Sequence, residues 1–321
     1  MLAVFAFDFD PDDPLRALAI DERPEPEVPD GWTVVTVKTA SLNHHELWSL
    51  CGVGLSRDRL PMILGCDAAG IDPDGNDVVV HSVITDDAWR GDETFDPTRS
   101  LLSEKYPGTF AERVAVPRRN LLPKPPELSF EQAACLPTAW LTAYRMLFTR
   151  AGVVPGMTIL VQGASGGVAT ALTVLASAAG IRVWVTGRSE RGRAHALALG
   201  AEQAFEPGAR LPERVDAVME TVGAATWAHS VRSLKPGGKI VISGATSGDA
   251  SPAELTRMFF LQLSVIGSTM GTRDELERLA RFCVDKGVRP AIDSTYPLRD
   301  ARQGFEAMLS GEMVGKIVFT V

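Results

Sequence analysis

Hydrophobic and polar positions divide the chain into two differently patterned parts. The first third carries short strand-like runs, Trp32–Thr39, Asp77–Ile84 and Ala111–Val116, separated by Pro, Gly and Asp and showing little helical periodicity. That pattern predicts a β-rich domain. Near Leu121–Leu128, the prolines Pro123, Pro125 and Pro126 make a stiff connector that a helix does not cross. Ser129 then stands ahead of Glu131 and Gln132 as the N-cap of a helix toward Ala134. Beyond it, short apolar runs alternate with helical segments: Thr158–Gln162, Val168–Ala179, Arg182–Thr186, Arg191–Leu199, Val215–Glu220, Thr226–Leu234, Lys239–Ser243, Pro252–Gln262 and Ser264–Ser268. Strand, helix, strand, repeated, is the signature of a parallel sheet with crossover helices, and the Val/Ile-rich strands suit burial on both faces. The C-terminal stretch adds helices at Arg273–Lys286 and Asp300–Ser310 and a strand at Lys316–Val321, elements available to complete the first domain. The expectation is an α/β protein with a doubly wound parallel sheet and a separate β-rich domain.

Composition narrows the function classes. With 321 residues the chain has length for two domains. Its net charge of −8, with no Lys/Arg-rich run, disfavours a nucleic-acid partner. Cys51, Cys66, Cys135 and Cys283 are scattered and form no C-x-x-C pair, so neither a disulfide framework nor a four-cysteine zinc lobe is encoded. The apolar stretch Val168–Ile181 is interrupted by Thr170, Thr173, Ser177 and Gly180, and it stops at Arg182, short of the roughly 18–20 residues that span a bilayer. Met1–Asp13 lacks a basic segment followed by a long apolar core. A cytoplasmic enzyme without a membrane partner is therefore expected.

The 29 glycines concentrate the chemistry. Gly163-Ala164-Ser165-Gly166-Gly167-Val168-Ala169 follows an apolar strand and opens a helix. Glycine allows the backbone to turn tightly against a pyrophosphate, and the helix start offers unpaired N–H groups to its oxygens. The next strand ends in Thr186-Gly187-Arg188-Ser189. A carboxylate at that place accepts a hydrogen bond from a free ribose 2′-hydroxyl, whereas Arg188, with Ser189, Arg191 and Arg193 beside it, favours a 2′-phosphate, hence NADPH. Val222, Gly244 and Met270 fall at later strand ends, where open α/β sheets bind ligands. The same turn satisfies G-x-S-x-G, which keeps a serine hydrolase acting through Ser165 as an alternative. Only His195 and His229 follow it, both within predicted helices.

Taken in order, several segments resemble the medium-chain dehydrogenase/reductase superfamily, in particular its zinc-free quinone oxidoreductase and enoyl reductase branch. They are Ala40–Glu46, Ile63–Gly70, Gly108–Glu112, Leu141–Tyr144, the glycine turn, Leu199-Gly200-Ala201, Leu234–Gly238 and Gly315–Val318. The resemblance covers essentially the whole chain. It implies a partly barrel-like, GroES-like catalytic domain from residues 1–122 and 272–321, and a Rossmann-type dinucleotide-binding domain from residues 123–271. Homodimers are common in this family.

The resemblance also assigns roles. Positions that hold catalytic zinc in other members match Asn43, Cys66 and Thr138, a poor ligand set, so no metal is expected. His45 matches a proton-relaying hydroxyl and becomes the first candidate proton donor, with water as the alternative, while Asn43, placed to hydrogen-bond ribose or a substrate oxygen, and Thr138 complete the candidate catalytic set. His44 and Lys316 are candidate phosphate contacts, Thr142 lies toward the nicotinamide, and Gly163, Ser165, Gly166, Gly167 and Val168 surround the pyrophosphate. Trp48, Trp140 and Met270 are candidate walls for an apolar substrate. Without a Lewis acid, hydride transfer from NADPH to a quinone or a conjugated enone is the expected chemistry on a small apolar electrophile. A carbonyl–alcohol dehydrogenase and an inactive nucleotide-binding protein are the other readings.

Overall fold

The structure, a computed structural model, describes residues 1–249 and 252–321. It divides into two compact units, Trp140–Thr269 and the combination of Met1–Ala139 with Met270–Val321.

In the unit Trp140–Thr269, six parallel strands form one sheet: β1 Thr158–Gln162, β2 Arg182–Thr186, β3 Gln203–Phe205, β4 Val215–Glu220, β5 Leu234–Ile242 and β6 Ser264–Gly267. Their spatial order is 3-2-1-4-5-6, the Rossmann arrangement, in which the strand order reverses at β1. Three of these strands have the bounds that the apolar runs predict. Of the others, β3 had no predicted run, β6 ends at Gly267 rather than Ser268, and β5 starts earlier, at Leu234 rather than Lys239, with a register irregularity opposite Val215 and Ala217. Helices α1 Gly167–Ala178, α2 Glu190–Ala198, α3 Trp227–Ser233 and α4 Leu255–Phe260 follow β1, β2, β4 and β5. One core here gathers Leu160, Trp184, Val218, Val231 and Ile240. Ahead of the sheet, Leu141–Tyr144 is α-helical and runs into a wider π-type segment, Arg145–Ala151, which Gly152 ends at φ +64°.

The other unit is β-rich. Trp32–Leu42 is its long central strand, pairing antiparallel with Asp67–Ile71, Arg113–Pro117 and the terminal strand Lys316–Thr320. Its core gathers Val35, Leu42, Phe110, Phe305 and Phe319, with the three rings in mutual contact at centroid distances of 5.0–6.3 Å. The C-terminal elements do complete this unit: Lys316–Thr320 lies between Trp32–Leu42 and Ile292–Pro297. The run Asp77–Ile84 is two strands rather than one. His81 donates its N–H to Asn120 and Ser82 bonds to Cys66 O, so the chain turns off the sheet and Val83–Ile84 pairs instead with Ser100–Leu101.

The proline connector does not mark the boundary of the units. Helix Phe130–Ala134, capped by Ser129 as the sequence indicates, packs on Trp32–Leu42 and Asp67–Ile71 and so belongs with the β-rich unit. Prolines stop helices, but burial decides which core a segment joins.

Candidate active site

The glycine turn sits at the C-terminal end of β1. Gly163 adopts φ +97°, a conformation that other residues rarely adopt, and Gly166 is the N-cap of the twelve-residue α1. A Cβ placed on Gly166 would meet nothing within 4 Å, so the space before the helix start is open. Elsewhere the turn is held tightly. A Cβ on Gly187 would come within 2.7 Å of the Ala164 methyl, and one on Gly192 within 3.5 Å of Ser165 Cβ. Gly187 lets the end of β2 close onto the turn, while at Gly192 a side chain would make only ordinary contact with Ser165. An open helix start, a left-handed turn and close backbone approach fit a pyrophosphate.

Around that turn, Ser189 caps α2 by accepting from Gly192 N at 3.1 Å. Arg188 is exposed and has no side-chain partner among the described residues. Arg193 is spent differently: its Nη1 donates to Gly187 O at 2.8 Å and to Arg188 O at 3.2 Å, bracing the turn that presents Arg188. Val222 and Gly244 follow β4 and β5, whose loops are joined by Ser247 Oγ donating to Val222 O at 2.7 Å. Thr142 is buried.

Beneath the strand ends runs a buried polar network that sequence reasoning missed. Thr186 Oγ1 donates to Gln162 Oε1 at 2.6 Å, and Gln162 Nε2 donates to Ser230 Oγ at 2.9 Å. Ser230 in turn donates to Glu220 Oε2 at 2.6 Å. Glu220 Oε1 accepts from Val222 N, Gly223 N and Thr226 Oγ1. His229 offers one ring nitrogen to Gln162 and the other to Ala209 O, leaving none for Ser165.

The β-rich unit carries a second polar centre where Trp32–Leu42 runs into the helix His44–Leu50. Glu46, fully buried, accepts from Asn43 N at 2.7 Å and from Cys66 N at 3.1 Å, pinning the helix start to the segment before Asp67. Asn43 donates through Nδ2 to Asp67 Oδ2 at 2.9 Å and accepts at Oδ1 from Lys316 Nζ. Lys316 also donates to Leu42 O at 2.7 Å and stands 3.7 Å from Asp67 Oδ2. Although Lys316 was expected at a phosphate, it is buried here and its ammonium is engaged within this unit. Burial pushes the Asp67 pKa up, while Lys316, Thr138, Asn43 and Ser41 pull it down. Thr138 Oγ1 and Asp67 Oδ1 themselves have no partner at full hydrogen-bond geometry.

His44 is exposed, whereas the His45 side chain is 20% exposed and wedged among Glu104, Cys66 and Glu46. Its Nε2 lies 3.2 Å from Glu104 Oε1, and its Nδ1 lies 3.4 Å from Cys66 Sγ and 3.6 Å from Glu46 Oε1. Burial opposes charge on this ring, yet its neighbours raise the pKa well above 6.5. Cys66 is itself pushed up to about 12 by burial and is a neutral thiol at ordinary pH. The neighbours that raise it are Cys66 first, then Glu104 and Glu46, the two carboxylates within reach of the ring. Glu104 gave no motif signal, because nothing in its local sequence marks a residue that reaches His45 across 59 positions. Of the candidate pocket walls, Trp140 is fully buried, Trp48 is exposed, and Met270 is buried with a left-handed φ of +47°.

The comparisons agree with this architecture. A model described as zinc-binding dehydrogenase matches residues 167–285. A zinc-type alcohol dehydrogenase-like protein of Schizosaccharomyces pombe is 30% identical, covering 92% of this chain and 94% of its own. The chain belongs to the medium-chain dehydrogenase/reductase superfamily. Another superfamily relative, an acryloyl-coenzyme A reductase of Metallosphaera sedula, is 28% identical over 94% of this chain and 96% of its own. A solved structure of an NAD-dependent alcohol dehydrogenase superposes with a TM-score of 0.92 at 31% identity, covering all of both chains.

Membership in a superfamily with zinc enzymes makes the donor set worth testing. His45, Glu46 and Cys66 place one ligand atom each within 4.8 Å of one another. These groups already bond to each other, Cys66 Sγ donates to Leu102 O at 3.3 Å, and Glu46 is taken up by two backbone N–H groups. At the matched positions, Asn43 holds an ammonium on its amide oxygen and Thr138 offers a hydroxyl. An amide oxygen already holding an ammonium, a neutral thiol and a hydroxyl make a poor ligand set for a divalent metal. Among the described residues no helix is long and apolar enough to cross a membrane.

Proposed function

We propose that the protein is an NADPH-dependent, zinc-independent oxidoreductase that reduces a conjugated carbonyl compound or a quinone. One observation carries this reading: the β-rich unit sets His45 between the carboxylates of Glu104 and Glu46, and the Lys316 ammonium occupies the amide oxygen of Asn43, one of the positions matched to a zinc ligand. Such a centre supplies a proton and does not polarise an alcohol. The bound nicotinamide would supply hydride to the electron-poor carbon. His45 would then give its proton to the carbon or oxygen where charge accumulates and recover one from water, leaving a saturated carbonyl compound or a hydroquinone. The acryloyl-coenzyme A reductase of Metallosphaera sedula supports a conjugated acceptor.

For the cofactor, the open start of α1 would take the pyrophosphate and the unpaired Arg188 a 2′-phosphate. The solved relative is named for NAD, so Arg188 is the residue that decides. In titrations followed by cofactor fluorescence, Arg188→Ala is expected to weaken NADPH about tenfold, as loss of a charge-assisted contact implies, and NADH less than twofold. Equal losses would overturn the assignment to NADPH. The reaction itself is tested by NADPH consumption that depends on an added enone or quinone and persists after exhaustive chelation. Loss of turnover on chelation would defeat the zinc-free reading.

A further inference from the structure

We propose that the β-rich unit recognises its substrate by an anionic substituent, a phosphate or a carboxylate, in the bowl between Gly54–Arg59 and Thr98–Lys105. The proposal rests on the reading of the reaction given above and names the class of acceptor it takes. The bowl has a volume of about 460 Å³, and Arg59, Arg99 and Lys105 contribute three cations to its lining. Its single lining carboxylate, Glu104, is already committed: Oε1 faces His45, and Oε2 accepts from Leu101 N at 2.9 Å. Three cations against one committed carboxylate leave the bowl cationic within a chain of net charge −8. Apolar cargo gains little from such a surface, whereas an oxyanion gains charge-assisted bonds from guanidinium groups.

The three cations are lightly held. Arg99 donates Nη1 to Asp96 O at 3.1 Å, Arg59 makes an exposed contact of 3.8 Å with Asp58, and Lys105 lies over the Tyr106 ring at 5.3 Å. Ser56, Thr98 and Ser100 add hydroxyl groups to the same wall. Glu104 is the link to the chemistry, because one carboxylate both lines the bowl and holds the candidate acid. An acceptor anchored here by its anion is thereby placed beside the residue that orients His45.

The test compares three conjugated acceptors on the full chain: crotonyl-coenzyme A, which carries phosphates, monomethyl fumarate, which carries a carboxylate, and neutral methyl crotonate. NADPH oxidation is followed for the wild type and for the Arg59→Ala/Arg99→Ala double variant, with folding checked by circular dichroism. The double variant is expected to raise KM at least tenfold for one or both anionic acceptors, and less than twofold for methyl crotonate, with kcat retained. Added salt should raise KM for the anionic acceptors alone. The acceptor with the larger change identifies phosphate or carboxylate as the anion. Equal effects on neutral and anionic acceptors, or none, would overturn the proposal. Should no acceptor turn over, the proposed reaction has failed, and the bowl is judged separately by calorimetry with crotonyl-coenzyme A. Binding weakened tenfold in the double variant would sustain the anion site, and unchanged or absent binding would remove it.

Discussion

Each unit buries a carboxylate completely, and the two are satisfied in different ways. Glu220, in the nucleotide-binding unit, bonds to no Lys or Arg among the described residues; its oxygens take N–H groups from Val222 and Gly223 and hydroxyls from Thr226 and Ser230, all within ten residues. Asp67, in the β-rich unit, depends on groups from Ser41, Asn43 and Lys316, the last from the terminal strand, and still leaves Oδ1 without a partner. A carboxylate served by its own loop is satisfied as soon as that loop forms. One served by distant strands is satisfied only when the whole sheet has assembled, and any missing strand leaves a charge buried alone.

That contrast can be broken at several points. The largest effect is expected from Lys316→Met, which strands Asp67 and the Asn43 amide oxygen. Removing one partner of a buried pair costs about 3 kcal/mol, read as a fall in the denaturant midpoint, and adding Asp67→Asn to the variant should recover most of it. A Lys316→Met protein as stable as the wild type would show that the ammonium is not holding this centre. Glu220→Gln should cost less, about 2 kcal/mol by the same measurement, because the amide oxygen still accepts from the two N–H groups while the hydroxyl donors lose a charged acceptor. A loss larger than that of Lys316→Met would reverse the comparison.

The charge on His45 offers a finer probe. Its folded-state pKa is raised above 6.5, so its contribution to stability is fully present below about pH 6.5 and disappears as pH rises through the raised value. Turnover that needs the protonated ring should decline over the same rise. Glu104→Gln removes one of the two carboxylates and should move that descending limb down by about one pH unit. A limb that stays in place would assign the proton to water. The smallest expected effect is that of Arg193→Lys, which keeps charge near Gly187 O but gives up the two-carbonyl brace. NADPH affinity should fall about threefold, at the scale of one ordinary hydrogen bond, and an unchanged affinity would show that the brace does not position Arg188.

Legibility followed the same division. In the nucleotide-binding unit the apolar runs predicted β1, β2 and β4 to the residue, because parallel strands buried on both faces write their bounds as continuous Val/Ile segments. The glycine turn was readable for a related reason: its function lies in the backbone, and Gly163 and Gly166 declare the conformation that backbone needs. Arg193 shows where this stops. It was expected to meet the cofactor, but its guanidinium turns inward onto two carbonyls, which no spacing reveals. In the β-rich unit, the resemblance located Asn43, His45 and Lys316 while leaving their relations open. The split of Asp77–Ile84 into two strands was hidden for the same reason, since His81 and Ser82 leave the sheet for partners at Asn120 and Cys66.

The sequence by itself therefore determined the α/β class, the Rossmann sheet, the glycine turn and the superfamily, all of which rest on periodicity, local backbone geometry or ordered motifs. Only the tertiary structure decided that His45 lies between two carboxylates, that Lys316 sits beside Asp67, that Glu104 joins a cationic bowl to the candidate acid, and that Phe130–Ala134 packs with the β-rich unit. Charge states depend on distances between groups that lie far apart in the chain, and those distances exist only after strands such as Trp32–Leu42 and Lys316–Thr320 have paired.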